Sequence, residues 1–157
     1  MYILTIDTSD RSIVGVAREE LGTITELARE VSTDSRHHAE TLTPMVASVL
    51  AHAGIEKPDA IVAGTGPAAF TGLRAGLMTA RALARAWDVP LYGVSSLEVL
   101  ALAGTRLGFN EVLAVIDARR KELFALRARP MGGDDVAIIS GPEIVKPADI
   151  VDILARA

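Results

Sequence analysis

The chain has 157 residues, of which half are hydrophobic and none is cysteine, and its excess of acidic over basic side chains gives a net charge of −4. This composition excludes a disordered chain, a disulfide framework and a thiolate metal site, and it makes the chain alone a poor candidate for holding nucleic acid mainly through phosphate contacts. We find neither an apolar run of the roughly 18 residues that a membrane helix needs nor the marks of a signal peptide, so we expect a cytoplasmic protein with no membrane contact.

The first two thirds of the chain predict a mixed α/β sheet covered by helices. The expected strands are 2–7, 12–17, 23–31, 59–63 and 91–94, and the expected helices are 39–53, about 69–87 and 96–106. This order predicts antiparallel strands at one side of the sheet and parallel strands at the other. Pro44 must either begin the regular part of the first helix or kink it.

The pattern then restarts, which indicates a duplicated domain. Residues 111–117 repeat residues 2–7, and both stretches are apolar and end in Ile-Asp, at Asp7 and Asp117. Strands are expected at 122–128 and near 136–145, followed by a small helix over 148–155. We therefore expect one domain over 1–108 and a second over 109–157, and we expect the chain to stop inside its second domain.

A polar turn at the end of the first strand is the first candidate site. Asp7, Thr8 and Ser9 place a carboxylate and two hydroxyls where actin-like and sugar-kinase-like ATPases place an acid, and such groups can hold hydrated magnesium near a phosphate. The alternative is a turn whose acid bonds its own backbone.

A glycine-rich turn before the second helix loosely matches a dinucleotide-binding fingerprint. Gly64, Gly66 and Ala69 stand at the required spacing, and a helix N-terminus follows. Pro67, however, removes one N–H from the cradle. Asp88, the acid about twenty residues further on, lies at a helix end rather than on a strand.

The helix at 69–87 predicts a surface for a partner. An apolar seam repeats every three or four residues, at Phe70, Leu73, Leu77, Ala80, Ala84 and Trp87. A row of small residues, Gly72, Gly76 and Ala80, would let another helix approach closely. The remaining sides carry Ala75, Met78, Ala82 and Ala86, which indicates burial on several sides. The alternative is packing on the chain's own sheet.

Other chemical constellations are weak. His37 and His38 are adjacent and diverge by about 100° around a helix, so they cannot share one metal ion. We find no Ser/His/Asp or paired-carboxylate arrangement. The basic run Arg119-Arg120-Lys121 is expected in a solvated hairpin turn.

Four stretches together resemble the bacterial TsaB (YeaZ) family. They are residues 3–9 (Ile-Leu-Thr-Ile-Asp-Thr-Ser), 36–44 (Arg-His-His-Ala-Glu-Thr-Leu-Thr-Pro), 64–77 (Gly-Thr-Gly-Pro-Ala-Ala-Phe-Thr-Gly-Leu-Arg-Ala-Gly-Leu) and 116–124 (Ile-Asp-Ala-Arg-Arg-Lys-Glu-Leu-Phe). The third is the most specific. It departs from the family form by a shifted proline and by Ala69 in place of serine. The match runs in order through about the first 130 residues, and the usual last third of the family is missing.

The resemblance implies a duplicated actin-like (ASKHA, ribonuclease H-like) fold, with the second copy incomplete, and a part in making threonylcarbamoyladenosine beside the tRNA anticodon. It implies a non-catalytic subunit that binds a TsaD-like transferase through two N-terminal helices, with a TsaE-like ATPase joining. It also implies homodimers in isolation and tRNA contact only through the complex. No cofactor is expected in this chain, and ATP and a metal ion are expected in the partner subunits.

We therefore expect the partner interface to contain residues from both helices. They are His38, Leu42, Met45, Val46, Val49, Phe70, Leu73, Arg74, Gly76, Leu77 and Ala80. Gly76→Arg is expected to abolish the partner complex while leaving the monomer folded. The alternative function is an actin-like, ATP-dependent phosphotransferase that uses Asp7.

Overall fold

The structure, a computed structural model, describes residues 1–33, 38–68 and 70–155. The strands are β1 (Tyr2–Asp7), β2 (Ile13–Glu20), β3 (Thr23–Val31), β4 (Ala60–Gly64), β5 (Leu91–Val94), β6 (Val112–Arg119), β7 (Glu122–Pro130) and β8 (Val136–Val145). The helices are α1 (His38–Ala53), α2 (Phe70–Trp87), α3 (Ser96–Thr105) and α4 (Ile150–Ala155), the last preceded by a 3-10 turn at Pro147–Asp149. Each predicted element is confirmed, with bounds shifted by at most three residues.

The first sheet is mixed, as predicted. Its strand order is β3-β2-β1-β4-β5. Strand β2 pairs antiparallel with both β1 and β3, whereas β4 pairs parallel with both β1 and β5. The central strand β1 places Leu4 opposite Val16 of β2 and opposite Ile61 of β4. This register aligns the apolar side chains of three neighbouring strands.

The hydrophobic core of this first unit lies between the sheet and the two helices α1 and α2, which pack on the sheet and on each other. Alternate residues of β1, Leu4 and Ile6, are fully buried toward the helices, whereas Thr5 is exposed, as the period of two in a strand requires. The unit comprises residues 1–65 and 70–94.

Pro44 lies inside α1 rather than at its start. The helix runs through it from His38 to Ala53. The ring lacks the N–H that would bond the carbonyl of Glu40. Because Pro44 and Glu40 are both exposed, water can satisfy that carbonyl.

The second unit comprises the described residues 66–68 and 95–155. Its three strands form an antiparallel sheet of order β6-β7-β8, and α3 packs on β6 and β7. Leu97 and Ala101 of α3 share a buried cluster with Leu126 of β7. The predicted boundary at residue 108 is therefore wrong, because the apolar face of α3 is buried against the second sheet and the division falls near residue 95.

Within the ranges that the structure describes, no helix combines the length and the apolar character that crossing a membrane would require.

Candidate functional site

The turn after β1 joins the strand to helix α2. The N–H of Ser9 donates to Oδ1 of Asp7 at 2.7 Å, which closes a local turn. The hydroxyl of Thr8 donates to the carbonyl oxygen of Gly72 at 2.8 Å. Thr8 is 2 % exposed, so its side chain is shielded from water. Thr8 therefore connects β1 to the first turns of α2.

In this geometry part of the Asp7 turn already has partners within the chain. The hydroxyl of Thr8 donates a hydrogen bond to the carbonyl oxygen of Gly72, and one carboxylate oxygen of Asp7 accepts the backbone N–H of Ser9. Among the described residues, no three His, Asp or Glu side chains stand close enough together to share a metal ion. The turn serves the packing of α2 on the sheet.

The small-residue row of α2 faces this same turn. A Cβ atom at Gly76 would overlap Oγ1 of Thr8 and lie 3.1 Å from its Cγ2. Ala80, one turn further on, is fully buried in the core of the first unit. The row therefore brings α2 close to its own sheet, and Gly76 and Ala80 have no surface to offer a partner. For the same reason the geometry predicts that Gly76→Arg does not leave the monomer folded, contrary to the expectation from the sequence.

The predicted contact residues of α1 are also core residues. Leu42 and Val49 are fully buried, and Met45 and Val46 are nearly so. They fill the space between α1 and the sheet, which leaves little of their surface for a partner. His38 begins α1, but its side chain lies outside the described residues, as does His37 altogether.

Of the predicted contact residues whose side chains the structure describes, four remain accessible, all on α2. Phe70 is 70 % exposed, Arg74 is exposed, and Leu73 and Leu77 are half-buried. The guanidinium carbon of Arg74 lies 4.1 Å from the centre of the Phe70 ring, a cation–π contact that orders both side chains at the surface.

The structure adds three exposed residues to this side of the helix that the sequence reasoning did not place in the contact. They are Met78, Arg81 and Arg85. At 100° per residue, these three fall with Phe70 and Arg74 within about 80° around the helix axis. We call these five residues the outer stripe of α2. The spacing of the arginines could have shown it, since a face with three charges is not buried against a sheet.

A polar cluster on α1 was not anticipated. The hydroxyl of Ser48 donates to the carboxylate of Glu30 on β3, and Nδ1 of His52 lies 2.8 Å from the carbonyl oxygen of Ser48. A carbonyl only accepts, so Nδ1 carries a proton and donates. Because the serine proton goes to the carboxylate and not to the imidazole, this order does not activate a nucleophile.

The backbone of the glycine-rich turn is engaged by neighbouring elements. The N–H of Thr65 donates to the carbonyl of Val94 at 2.9 Å, and the carbonyl of Gly66 accepts from the N–H of Ser96 at 2.9 Å. Pro67 has no N–H. Thr65 and Pro67 therefore contribute no N–H to a pyrophosphate cradle, while Ala69, the last position of the loose fingerprint, lies outside the described residues.

Comparison with known proteins places this arrangement in a family. The model of the TsaD family, described as tRNA N6-adenosine threonylcarbamoyltransferase, matches residues 27–156. The chain is 33% identical to a tRNA threonylcarbamoyladenosine biosynthesis protein TsaB of Escherichia coli over 153 residues, covering 92% of this chain and 64% of that protein. It is 36% identical to the TsaB of Haemophilus influenzae over 129 residues, covering 79% and 52%.

Relatives in mycobacteria and a solved structure extend the comparison. A Mycobacterium tuberculosis protein is 41% identical over 128 residues, which cover 80% of this chain and 58% of that protein. The chain thus spans little more than half the length of several curated relatives. The structure of YeaZ from Pseudomonas aeruginosa superposes with a TM-score of 0.76 at 33% identity, covering 93% of this chain and 68% of that one. The expected mixed α/β sheet covered by helices is confirmed, and it is the fold of YeaZ. The chain belongs to the TsaB (YeaZ) family, within the wider group that the TsaD model describes.

Proposed function

We propose that the chain is a subunit in tRNA threonylcarbamoyladenosine biosynthesis and that it binds a TsaD-like transferase through the outer side of α2. Two relatives carry the name of that pathway, which supports the pathway assignment. The single observation that carries the choice of surface is the outer stripe of α2, where Phe70 and Met78 are well exposed although both are large and apolar. Exposed apolar side chains that cluster on one face are typical of interaction sites.

In this proposal the contact extends from α2 to the exposed side of α1. The two helices pack side by side on one sheet, so their solvent-facing sides are neighbours. The exposed side of α1 carries the small residues Thr43, Pro44 and Ala47. Leu73 and Leu77 of α2 are half-buried and would become fully buried under a partner. A stable interface of standard size buries roughly 1,600 Å² in total, which two adjacent helices can supply.

The chain provides binding and not chemistry in this proposal. The hydroxyl of Thr8 connects the end of β1 to α2, and one carboxylate oxygen of Asp7 closes the local turn, which supports a structural role for this turn. The transfer step, the ATP and the metal ion are assigned to the TsaD-like and TsaE-like partners, and tRNA is met through the complex. Two copies of the chain would associate through the same surface when no partner is present.

The test is the affinity of the purified chain for the TsaD-like transferase of the same source, measured by titration calorimetry. We expect wild-type binding, and about tenfold weaker binding by Met78→Ser, because truncating a large side chain central to an interface costs on that order. Met131→Ser is the matched control, since Met131 is 55 % exposed but lies in the second unit. No binding by the wild-type chain, or equal binding by both variants, would contradict the proposal.

The same calorimeter distinguishes the alternative phosphotransferase. Tight binding of ATP and magnesium by the isolated chain, lost in Asp7→Ala, would favour the phosphotransferase and would show that the Asp7 turn binds a nucleotide. We expect no such binding, because Thr8 and Asp7 are engaged by Gly72 and Ser9.

A further inference from the structure

The outer stripe of α2 is strongly basic in a chain that is acidic overall. Helix α2 contains three arginines and no acidic residue, while the whole chain has a net charge of −4. The three, Arg74, Arg81 and Arg85, are all exposed. At a rise of 1.5 Å per residue, they span about 17 Å along one side of the helix. The stripe is therefore a linear array of positive charge.

These arginines differ from most others in their surroundings. Across residues 1–33, 38–68 and 70–155, no carboxylate lies within 4.0 Å of Arg74, Arg81 or Arg85. Six other arginines each have a carboxylate within that distance: Arg11, Arg18, Arg29, Arg106, Arg119 and Arg127. Many arginines of the chain thus have a nearby carboxylate, whereas Arg74, Arg81 and Arg85 lie together on one helix face without one among the described residues.

The residues between the arginines favour a protein partner over a nucleic-acid partner. Met78 stands between Arg74 and Arg81, and Phe70 stacks on Arg74. Arginine, methionine and aromatic residues are enriched in protein–protein interfaces, where lysine, aspartate, glutamate, serine and alanine are depleted. None of the depleted residue types belongs to the outer stripe. A surface that only met phosphates would not need exposed apolar side chains between its charges.

We propose that the outer stripe of α2 docks an acidic helix of the protein partner, with carboxylates spaced seven and then four residues apart to meet Arg74, Arg81 and Arg85. Helices that pack at a small crossing angle keep such rows facing each other over several turns. Each arginine fork can bind a carboxylate through two hydrogen bonds. The contact with Phe70 orients the Arg74 guanidinium beforehand. The identity of the partner as a TsaD-like transferase rests on the proposed function, whereas its acidic helix rests on the stripe.

The first test measures the affinity of the transferase for the triple variant R74Q/R81Q/R85Q at low and high salt. We expect the variant to bind at least about tenfold more weakly than wild type at about 0.1 M salt and to show a flatter salt dependence, because the charges it lost are those that salt screens. The control is R120Q/R129Q, which removes two exposed arginines of the second unit. Wild-type affinity and salt dependence in the triple variant would overturn the inference.

A second test does not need the transferase. A synthetic helical peptide with glutamates at the stated spacing, and its glutamine counterpart, are titrated into the wild-type chain and the triple variant. We expect only the glutamate peptide to bind, and only to wild type. Equal binding of both peptides would overturn the inference, as would a tRNA transcript that binds wild type and is lost in the triple variant. If the wild-type chain does not bind the transferase, the proposed function fails while this titration still decides the chemistry of the stripe.

Discussion

The two sides of helix α2 have different surroundings, since one packs on the chain's own sheet and the other faces solvent. The inner side presents Gly72, Gly76 and Ala80 to the chain's own β1, so closely that a Cβ atom at Gly76 would overlap Thr8. The outer side presents Arg74 and Met78 to solvent. The comparison teaches that a row of small residues marks a close approach without saying what approaches. In this helix the row packs against the chain's own sheet, and the proposed function assigns the large exposed residues opposite it to a partner.

Substitution at Gly76 should have the largest effect on this comparison. Gly76→Arg is expected to prevent the first unit from folding, because its side chain would have to occupy the space of Thr8. Gly76→Ala should remain folded but lose about 1–3 kcal/mol of unfolding free energy, the usual range for overpacking. Urea denaturation followed by circular dichroism measures both.

Gly133→Ala is the matched control for Gly76→Ala. A Cβ atom at Gly133 would meet nothing within 4 Å. We expect its stability to stay near that of wild type. If Gly76→Ala were as stable as this control, the close contact between α2 and β1 would be contradicted.

The next effect should come from Thr8. Thr8→Val keeps the shape of the side chain but removes the hydrogen bond to the carbonyl of Gly72, leaving that oxygen without its donor. We expect a loss of about 1–2 kcal/mol in unfolding free energy. Thr71→Val makes the same change at an exposed position of α2 and should be nearly neutral in the same denaturation experiment. Equal losses in the two variants would mean that the Thr8 bond does not stabilise the fold.

A smaller effect on stability is expected from the outer stripe. Phe70→Ala removes the cation–π contact with Arg74 at the surface, and we expect a change within about 0.5 kcal/mol. The same variant should bind the transferase more weakly, so the ratio of the two effects separates binding from folding. A large loss of stability in Phe70→Ala would show that the outer side also holds the fold.

The smallest effect concerns self-association. Two copies that meet through their α2 outer stripes would bring like charges together, so added salt should strengthen the homodimer by a few fold through screening. Sedimentation velocity at about 0.1 M and 0.5 M salt would measure this shift, and binding to an acidic partner should change in the opposite direction. A homodimer that weakens with salt would place the self-contact elsewhere.

Local patterns predicted the elements well because they depend on periodicity and turn residues. The run from Leu42 to Leu50 predicts a helix, and the alternation over β1 predicts a strand. The mixed sheet, antiparallel at one side and parallel at the other, was also predicted, because hairpins join antiparallel strands and βαβ units join parallel ones. Two features could not be predicted from local patterns, and the first is the sheet on which α3 packs. Periodicity does not say which sheet a helix covers, so α3 was assigned to the first domain although Leu97 packs in the second.

The second feature is the choice of face. Gly72 and Gly76 permit close approach by a sheet as readily as by a foreign helix, and apolar residues such as Val49 satisfy a core as readily as an interface. The charges decide between the faces, because Arg81 and Arg85 cannot be buried against a sheet without a partner charge. Weighing the arginines before the small residues would have pointed to the outer side.

Methionine oxidation tests the two-sided account of α2 most directly. One methionine lies on each side of the helices: Met45 is 7 % exposed in the core, and Met78 is 62 % exposed on the outer stripe. Met131, which is 55 % exposed, serves as a reference in the second unit. Peroxide oxidation followed by peptide mass spectrometry should convert Met78 and Met131 at similar rates and Met45 far more slowly. Addition of the transferase should then protect Met78 several-fold and leave Met131 unchanged. A complex that forms without protecting Met78, or a free chain in which Met45 reacts as fast as Met78, would contradict the account.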